Sequence, residues 1–281
     1  MREQAVWKRK IKQFFRNPLT VIAFLLFTFI VIICLCAPLL AQDNYNAVNV
    51  YQGLQPPSAA HLFGTDNLGR DMFSRVLYAG RITLGYSLIA TMIAVISGTV
   101  LGVISGYFGG TVDAVIMRIT EILSAIPYFL LVIVFEIMLG FGQGNFKYAM
   151  GVAAAPAIIH MVRAETLSVM SNEFIEAAKA LGFSDIVIIL RHVLNNILNN
   201  LILHTTSTYS DAMLTCSVLG YLGIGFQPPQ ADWGTLVASG YSALRVDPHL
   251  SLIPCGMIMI CVLSVNLIGN GLRDTLEGDK S

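Results

Sequence analysis

Two stretches without a charged side chain, 19–41 and 82–112, set the limits on what this chain can fold into. Each is at least as long as the about 20 apolar residues that carry a helix across a bilayer. Hydrocarbon offers the backbone no water to bond to, and a helix satisfies its own N–H and C=O groups within one segment. Charged residues are 12% of the 281, against about 25% in average soluble domains. The fold class that follows is an all-α polytopic membrane protein. Net charge is zero, which argues against nucleic acid as a partner.

The residues ahead of the first run are basic: Arg2, Lys8, Arg9, Lys10, Lys12 and Arg16. The run itself is longer than the about 7–15 residues of a signal-peptide core, so it is read as an uncleaved first span with a cytoplasmic N-terminus. Residues 42–81 are polar, interrupted by Gly53, Pro56 and Pro57, and would lie outside. Within them Gly64-Thr65-Asp66-Asn67-Leu68-Gly69-Arg70-Asp71 has the outline of a phosphate loop. Arg70-Asp71 stands where Lys and Ser/Thr are needed, and no strand precedes it. The expectation is a turn into a short interfacial helix, with Asp71 and Arg75 paired at i, i+4.

In the second run Gly98, Gly102 and Gly106 repeat at four-residue spacing, which lets helices approach closely in lipid. A third span is expected at 113–140, containing Pro127, and a shorter fourth at 148–162, broken by Pro156. The fifth falls at 204–226 and the sixth at 249–272. One N-terminal span plus a five-helix core puts both termini on the cytoplasmic side. Arg70, Arg75, Arg81, Lys147 and Arg245 then lie outside, leaving twelve of the 17 basic residues inside, as the positive-inside rule requires.

Between spans 4 and 5 the stretch 173–203 is polar on one side and apolar on the other. A first helix is expected through Glu173, Glu176, Ala177, Ala178 and Lys179 to Leu181, with Gly182 as its left-handed stop. Ser184 or Asp185 would cap a second helix, whose apolar face carries Ile186, Ile189, Leu190, Val193 and Ile197. The five cysteines all fall in apolar segments without a C-x-x-C pair, and are expected to be buried thiols. The five histidines are scattered without metal-ligand spacing. No catalytic motif is present, so no catalytic or metal-ligating residue is assigned.

Glu176-Ala177-Ala178, three residues and then Gly182 resembles the EAA loop of permease subunits of bacterial ABC importers. Further blocks stand in the order of the peptide/nickel importer family, covering about residues 60–275. They are Phe63-Gly64-Thr65-Asp66-Asn67-Leu68-Gly69-Arg70-Asp71, Gly106-Tyr107-Phe108-Gly109-Gly110 with Asp113, and Val162-Arg163-Ala164-Glu165. Leu222-Gly223-Ile224-Gly225 with Trp233-Gly234, and Gly271-Leu272-Arg273-Asp274, complete the set. The chain is similar to the second, "C"-type permease of that family.

The resemblance implies a permease subunit of an ATP-driven importer in the plasma (inner) membrane. Residues 1–80 would be the N-terminal segment with the first span, and 81–275 the transport domain with a cytoplasmic coupling loop at 163–203. Glu173, Glu176, Ala177, Ala178, Leu181 and Gly182 would meet an ATPase. The implied partners are a second homologous permease, two ABC ATPase subunits, an extracytoplasmic substrate-binding protein and membrane lipid. ATP and magnesium would belong to the ATPases, so this chain holds no cofactor. The implied cargo is a dipeptide or oligopeptide, with nickel or another metal complex as the alternative. Rivals from other classes are a membrane-embedded enzyme using Glu136 and Asp211, and a stand-alone channel. Against them, the two acids lack a flanking catalytic pattern, and a channel leaves the EAA loop without a task.

The chain departs from the family in three places. Asn195 stands where Pro is usual after Arg191-His192, so the second coupling-loop helix is expected to run on toward Asn199. Cys216 replaces a common Glu, and Ile158-Ile159-His160 replaces an aromatic-Ala-Arg motif. In the fifth span Ser207, Ser210, Asp211 and Thr215 fall at i, i+3, i+4 and i+8 and are expected to share one side of a helix. A charge at a span centre costs about 2.5–3.5 kcal/mol on insertion scales. Asp211 is therefore either neutralised or bonded to the partner permease, or part of a polar stripe that lines the translocation path.

Overall fold

A computed structural model describes residues 14–15, 17–41, 45–140 and 142–277. Arg2, Lys8, Arg9, Lys10, Lys12, Arg16, Asn44 and Lys280 lie outside the described residues. The principal elements are α1 (Pro18–Leu35), α2 (Met72–Phe108), α3 (Gly110–Ser124), α4 (Tyr128–Leu139) and α5 (Gln143–Met170). They continue with α6 (Glu173–Ala180), α7 (Asp185–Tyr221), α8 (Trp233–Tyr241) and α9 (His249–Glu277). No strand forms among the described residues. Five helices, α1, α2, α5, α7 and α9, are long and apolar enough to cross a membrane, and the bent pair α3–α4 makes a sixth span when counted as one.

Proline acts differently at its two sites. Pro127 stands between α3 and α4, which meet at 101°, consistent with the residue before proline being pushed out of the helical region. Pro156 breaks nothing: α5 continues through it from Gln143 to Met170, so the expected short fourth span is corrected to a long one.

The short interfacial helix before the second span does not exist either, because α2 runs unbroken from Met72. Asp71 starts that helix by accepting bonds from Ser74 N (2.8 Å) and Ser74 Oγ (2.6 Å), and its other oxygen pairs with His61 Nδ1 at 3.0 Å. Arg75 lies 3.6 Å from Asp66 instead. The segment before α2 is a turn, with Gly64 and Gly69 at positive φ.

The chain forms two compact units, Met1–Leu88 with Tyr209–Ser281, and Ile89–Thr208. In the first, α1 lies along α9. Asn17 caps α1 by accepting from Leu19 N at 3.0 Å, and Pro18 opens it, where a missing N–H costs nothing. Gly80 lies against Cys34 and Trp233, and Gly271 against Thr20. Trp233 is fully buried, donating from Nε1 to Val76 O (2.9 Å) and from its backbone N to Thr83 Oγ1 (3.1 Å).

In the second unit Gly98, Gly102 and Gly106 of α2 face Ile158, Val162 and Thr166 of α5 in ascending register. The two helices are therefore parallel neighbours at close approach, as the glycine spacing predicts. A parallel neighbour needs the chain to cross back in between, which the α3–α4 pair supplies. Of the cysteines, Cys34, Cys216 and Cys261 are buried as expected, whereas Cys36 is half-buried and Cys255 exposed.

Candidate functional site: the connection between α5 and α7

Asn172 ends α5 rather than capping α6. Its Nδ2 donates to Ser168 O (2.9 Å) and Val169 O (3.0 Å). Glu173 and Glu176 then occupy the first turn of α6 and Lys179 the last, the order the helix dipole favours. At the end, Gly182 takes φ +80°. Gly182 N donates to Lys179 O (3.0 Å) and Phe183 N to Ala178 O (3.2 Å), the paired bonds of a left-handed helix stop. The expected terminator is therefore in place, and a Cβ there would meet no atom within 4 Å.

Two side chains turn inward from α6. Ile175 and Ala178 are buried in a cluster with Val103, Val162, Val169, Ile188 and Val193. Ala178 thus serves packing, while Glu173, Glu176, Ala177, Leu181 and Gly182 are exposed. Leu181 is 76% exposed and Ile186 70%, and Phe174, Phe183 and Leu190 are exposed beside them. His192 is half-buried near the rings of Phe174 and Phe183, at 6.1 and 6.4 Å.

The connection is tied to the last turn of α2. Tyr107 Oη donates to Asp185 Oδ1 at 2.6 Å, and Lys179 Nζ lies 5.5 Å from the Tyr107 ring centroid. Asp185 is thereby engaged elsewhere, and Ser184 holds the N-cap position without a side-chain bond. Neither caps α7 in the way the sequence suggests.

Beyond Asp185 there is no second break. Residues 188–193 wind as a π-helix inside α7, a form that recurs at functional sites. Asn195 Nδ2 donates to Arg191 O (2.9 Å) and Asn196 Nδ2 to His192 O (2.7 Å). With Asn in place of Pro, the second coupling-loop helix and the fifth span become one element. The boundary expected at 203–204 is absent.

A pair that sequence spacing does not reveal braces the same unit. Arg163 Nη2 donates to Asp113 Oδ2 at 2.6 Å, and Ser105 Oγ donates to the same carboxylate, joining α2, α3 and α5. Asn200 Nδ2 donates to Glu165 Oε1 (2.6 Å), joining α7 to α5. The partners are far apart in the chain, and the available signal is opposite charge at the ends of apolar spans.

Ser207, Ser210, Asp211 and Thr215 differ in exposure. Ser207 and Asp211 are exposed, whereas Ser210 and Thr215 are buried. The helix turns about 100° per residue, so a register of i, i+4 keeps the first pair together while i+3 and i+8 swing away from it. Along α7 the exposed line from Asp211 continues to Leu214 and Val218. Among the described residues Asp211 has no hydrogen bond and no cation within 4.0 Å.

Residues 98–279 match the family described as binding-protein-dependent transport system inner membrane component. Residues 6–57 match the N-terminal transmembrane domain of oligopeptide transport permease C. The chain is 38% identical to the dipeptide transport system permease protein DppC of Alkalihalophilus pseudofirmus, over 96% of this chain and 89% of the relative. It is 33% identical to the glutathione transport system permease protein GsiD of Pectobacterium atrosepticum, over 96% and 90%. With the oligopeptide transport system permease protein OppC of Bacillus subtilis it shares 32% identity, over 97% and 90%. Among solved structures it resembles the inward-facing MetNI methionine ABC transporter, with TM-score 0.59 and 19% identity, over 73% of this chain and 97% of that one. The last likeness concerns the fold.

Proposed function

The chain belongs to the family of binding-protein-dependent transport system inner membrane components, and we propose from that premise that its cargo is a short peptide and that α6 is its contact with an ATPase. It is a multi-pass permease subunit of an ABC importer in the inner membrane. The peptide assignment is supported by relatives named for dipeptide, glutathione and oligopeptide transport. Two ATPase subunits and an extracytoplasmic binding protein complete the importer. A second homologous permease forms the heterodimer. The chain itself holds no cofactor and catalyses no reaction, ATP and magnesium residing in the ATPases. Both termini and the α5–α7 connection face the cytoplasm. Residues 1–80 precede the transport domain at 81–275.

The observation that carries the coupling assignment is the outward face of α6 and its stop. Glu173, Glu176 and Ala177 present one turn, Leu181 and Gly182 the end, and Ile186 and Leu190 extend the apolar surface onto α7. A polar helix that leaves large apolar side chains uncovered marks an interaction surface. Ala178 supports this face from beneath. Asp211 and Ser207 line the translocation path, where the carboxylate meets a cationic group such as a peptide amino terminus; Ser210 and Thr215 lie behind them.

Copurification tests the coupling surface. Leu181→Asp with Ile186→Asp should leave the permease inserted and strip it of ATPase subunits. Full ATPase recovery with the double variant would remove α6 from that role. Uptake by the reconstituted importer with its binding protein tests the cargo: labelled dipeptide should accumulate and free nickel should not. Nickel uptake without dipeptide uptake would overturn the peptide assignment.

A further inference from the structure

We propose that a groove of the first unit, formed by α1, α2 and the second half of α7 at Tyr209, holds one acyl chain of an anionic phospholipid, with the lipid phosphate on Arg81. The groove encloses about 310 Å³ and is lined by Phe27, Val31, Leu35, Leu84, Leu88 and Tyr209, with Gly85 between them. The Tyr209 hydroxyl is engaged, donating to Leu84 O at 3.2 Å. Among the described lining residues Arg81 alone is charged. A groove with so apolar a lining suits an apolar guest.

The shape selects a chain. A helix with its side chains is about 10–12 Å across, too wide for a volume of about 310 Å³. Along α2 the groove runs from Arg81 to Leu88, a rise of about 10 Å, within one leaflet of about 15 Å of hydrocarbon.

Gly85 shows how the groove is made. Glycine inside a helix is destabilising relative to alanine. At Gly98, Gly102 and Gly106 this is offset by close contact with α5, but a Cβ at Gly85 would meet nothing within 4 Å. The space beside it is left open by this chain.

Charge fixes the class of lipid. The 18 residues of α1 rise about 27 Å, close to the about 30 Å of hydrocarbon, which puts its last turn toward the end of the span. Gly80 lies against Cys34 of that turn, which places Arg81 at the same level. Arg81 is exposed and its guanidinium lies 5.7 Å from the Tyr78 ring centroid. Among the described residues no carboxylate comes within 4.0 Å of it. A planar fork of donors toward the end of the span without an acid fits a phosphate.

The assembled importer in nanodiscs of phosphatidylglycerol and phosphatidylcholine in equal amounts provides the test. One lipid or the other carries a photoactivatable group on its acyl chain, and crosslinks are mapped by mass spectrometry. Label should concentrate on the lining residues Phe27, Val31, Leu35, Leu84 and Leu88, with phosphatidylglycerol exceeding phosphatidylcholine by about fivefold. Arg81→Gln should bring that ratio close to one while the acyl label stays. Gly85→Leu fills the groove and should remove its label for both lipids, sparing exposed Leu25 and Phe29 on α1. Equal labelling by the two lipids in the unmodified protein would overturn the proposal. Label spread evenly over Leu25, Phe29 and the groove would do the same, as would a crosslink joining the groove to another subunit in place of lipid. Should Gly85→Leu fail to assemble, the ratio measured with Arg81→Gln decides.

Discussion

Two short helices, α6 and α8, are finished in opposite ways. At the start of α8 the capping groups are bonded to one another. Asp232 accepts from Gly234 N (3.0 Å) and Thr235 N (3.1 Å), and Thr235 Oγ1 accepts from Asp232 N (2.9 Å). Trp233 and Leu236 are fully buried, and a Cβ at Gly234 would run into the Ser217 carbonyl. On α6 only the face carrying Ile175 and Ala178 is covered, and Leu181, Phe183 and Ile186 stay outside. The α8 region is completed by its own chain, while α6 has a surface for something else to complete. Substitutions at α8 should therefore be read in stability, and those at α6 in association.

The largest effect is expected from Trp233→Ala. Removing a buried aromatic ring costs about 3–5 kcal/mol, and Val76 O loses its side-chain donor. Thermal unfolding in detergent should move down sharply. Leu181→Ala, at a site 76% exposed, should stay within about 0.5 kcal/mol. Equal unfolding temperatures for the two variants would erase the distinction between the helices.

Asp232 should make the α8 region sensitive to acid in an unusual direction. Burial pushes its carboxyl up to about 6 from 3.8, against the opposing bonds from Thr235 and Gly234. The folded protein then binds this proton more tightly than the unfolded chain. Its contribution to stability is fully present below about pH 4 and is lost as pH rises through about 6. That difference corresponds to about 3 kcal/mol at most. Asp232→Asn does not titrate, so unfolding measured at about pH 4.5 and about pH 7 should show a flatter slope. An unchanged slope would mean that this carboxyl titrates normally.

At α6 the effect is expected to be smaller and to fall on coupling. Gly182 holds φ +80°, and a β-branched residue in that conformation costs about 1–2 kcal/mol. Gly182→Val should insert normally, alter the angle between α6 and α7, and lower cargo-stimulated ATPase activity of the complex. Glu176→Lys should act similarly by reversing charge on the exposed face. Normal uptake by both at normal expression would take the two residues out of coupling.

What the sequence discloses here divides along physical lines. Uncharged length is a local property, so the spans at α1, α2 and α9 are readable from the chain alone. The stop at Gly182 is also local, because only a residue without Cβ sits easily at that φ. Continuity is not local. Pro156 looks like a break, yet a proline inside a membrane helix is tolerated when neighbouring groups serve the freed carbonyl. The Asn195 and Asn196 amides bond back to α7 carbonyls, and no propensity rule announces a helix running from Asp185 to Tyr221. The Asp113–Arg163 pair and the Asp66–Arg75 approach depend on which elements meet. The i, i+4 partner proposed for Asp71 lost to Ser74 and His61, because a carboxylate at a helix start finds backbone N–H groups nearer than a side chain one turn on.

Asp211 should give the smallest stability change and the most specific functional one. It is exposed on α7, and substitutions at exposed sites usually stay within about 0.5 kcal/mol. Asp211→Asn keeps size and hydrogen bonding while removing the charge. If the carboxylate lines the path, transport of cargo with a cationic group falls, while assembly and basal ATPase activity persist. If it instead bonds to the partner permease, the variant weakens the heterodimer and affects all cargo alike. Accessibility separates the two. Asp211→Cys, in a background where exposed Cys255 and buried Cys216 are replaced, should react with a water-soluble thiol reagent and be protected by cargo. Resistance to the reagent, with transport unchanged across cargoes for Asp211→Asn, would withdraw Asp211 from the path and leave it as a contact between subunits.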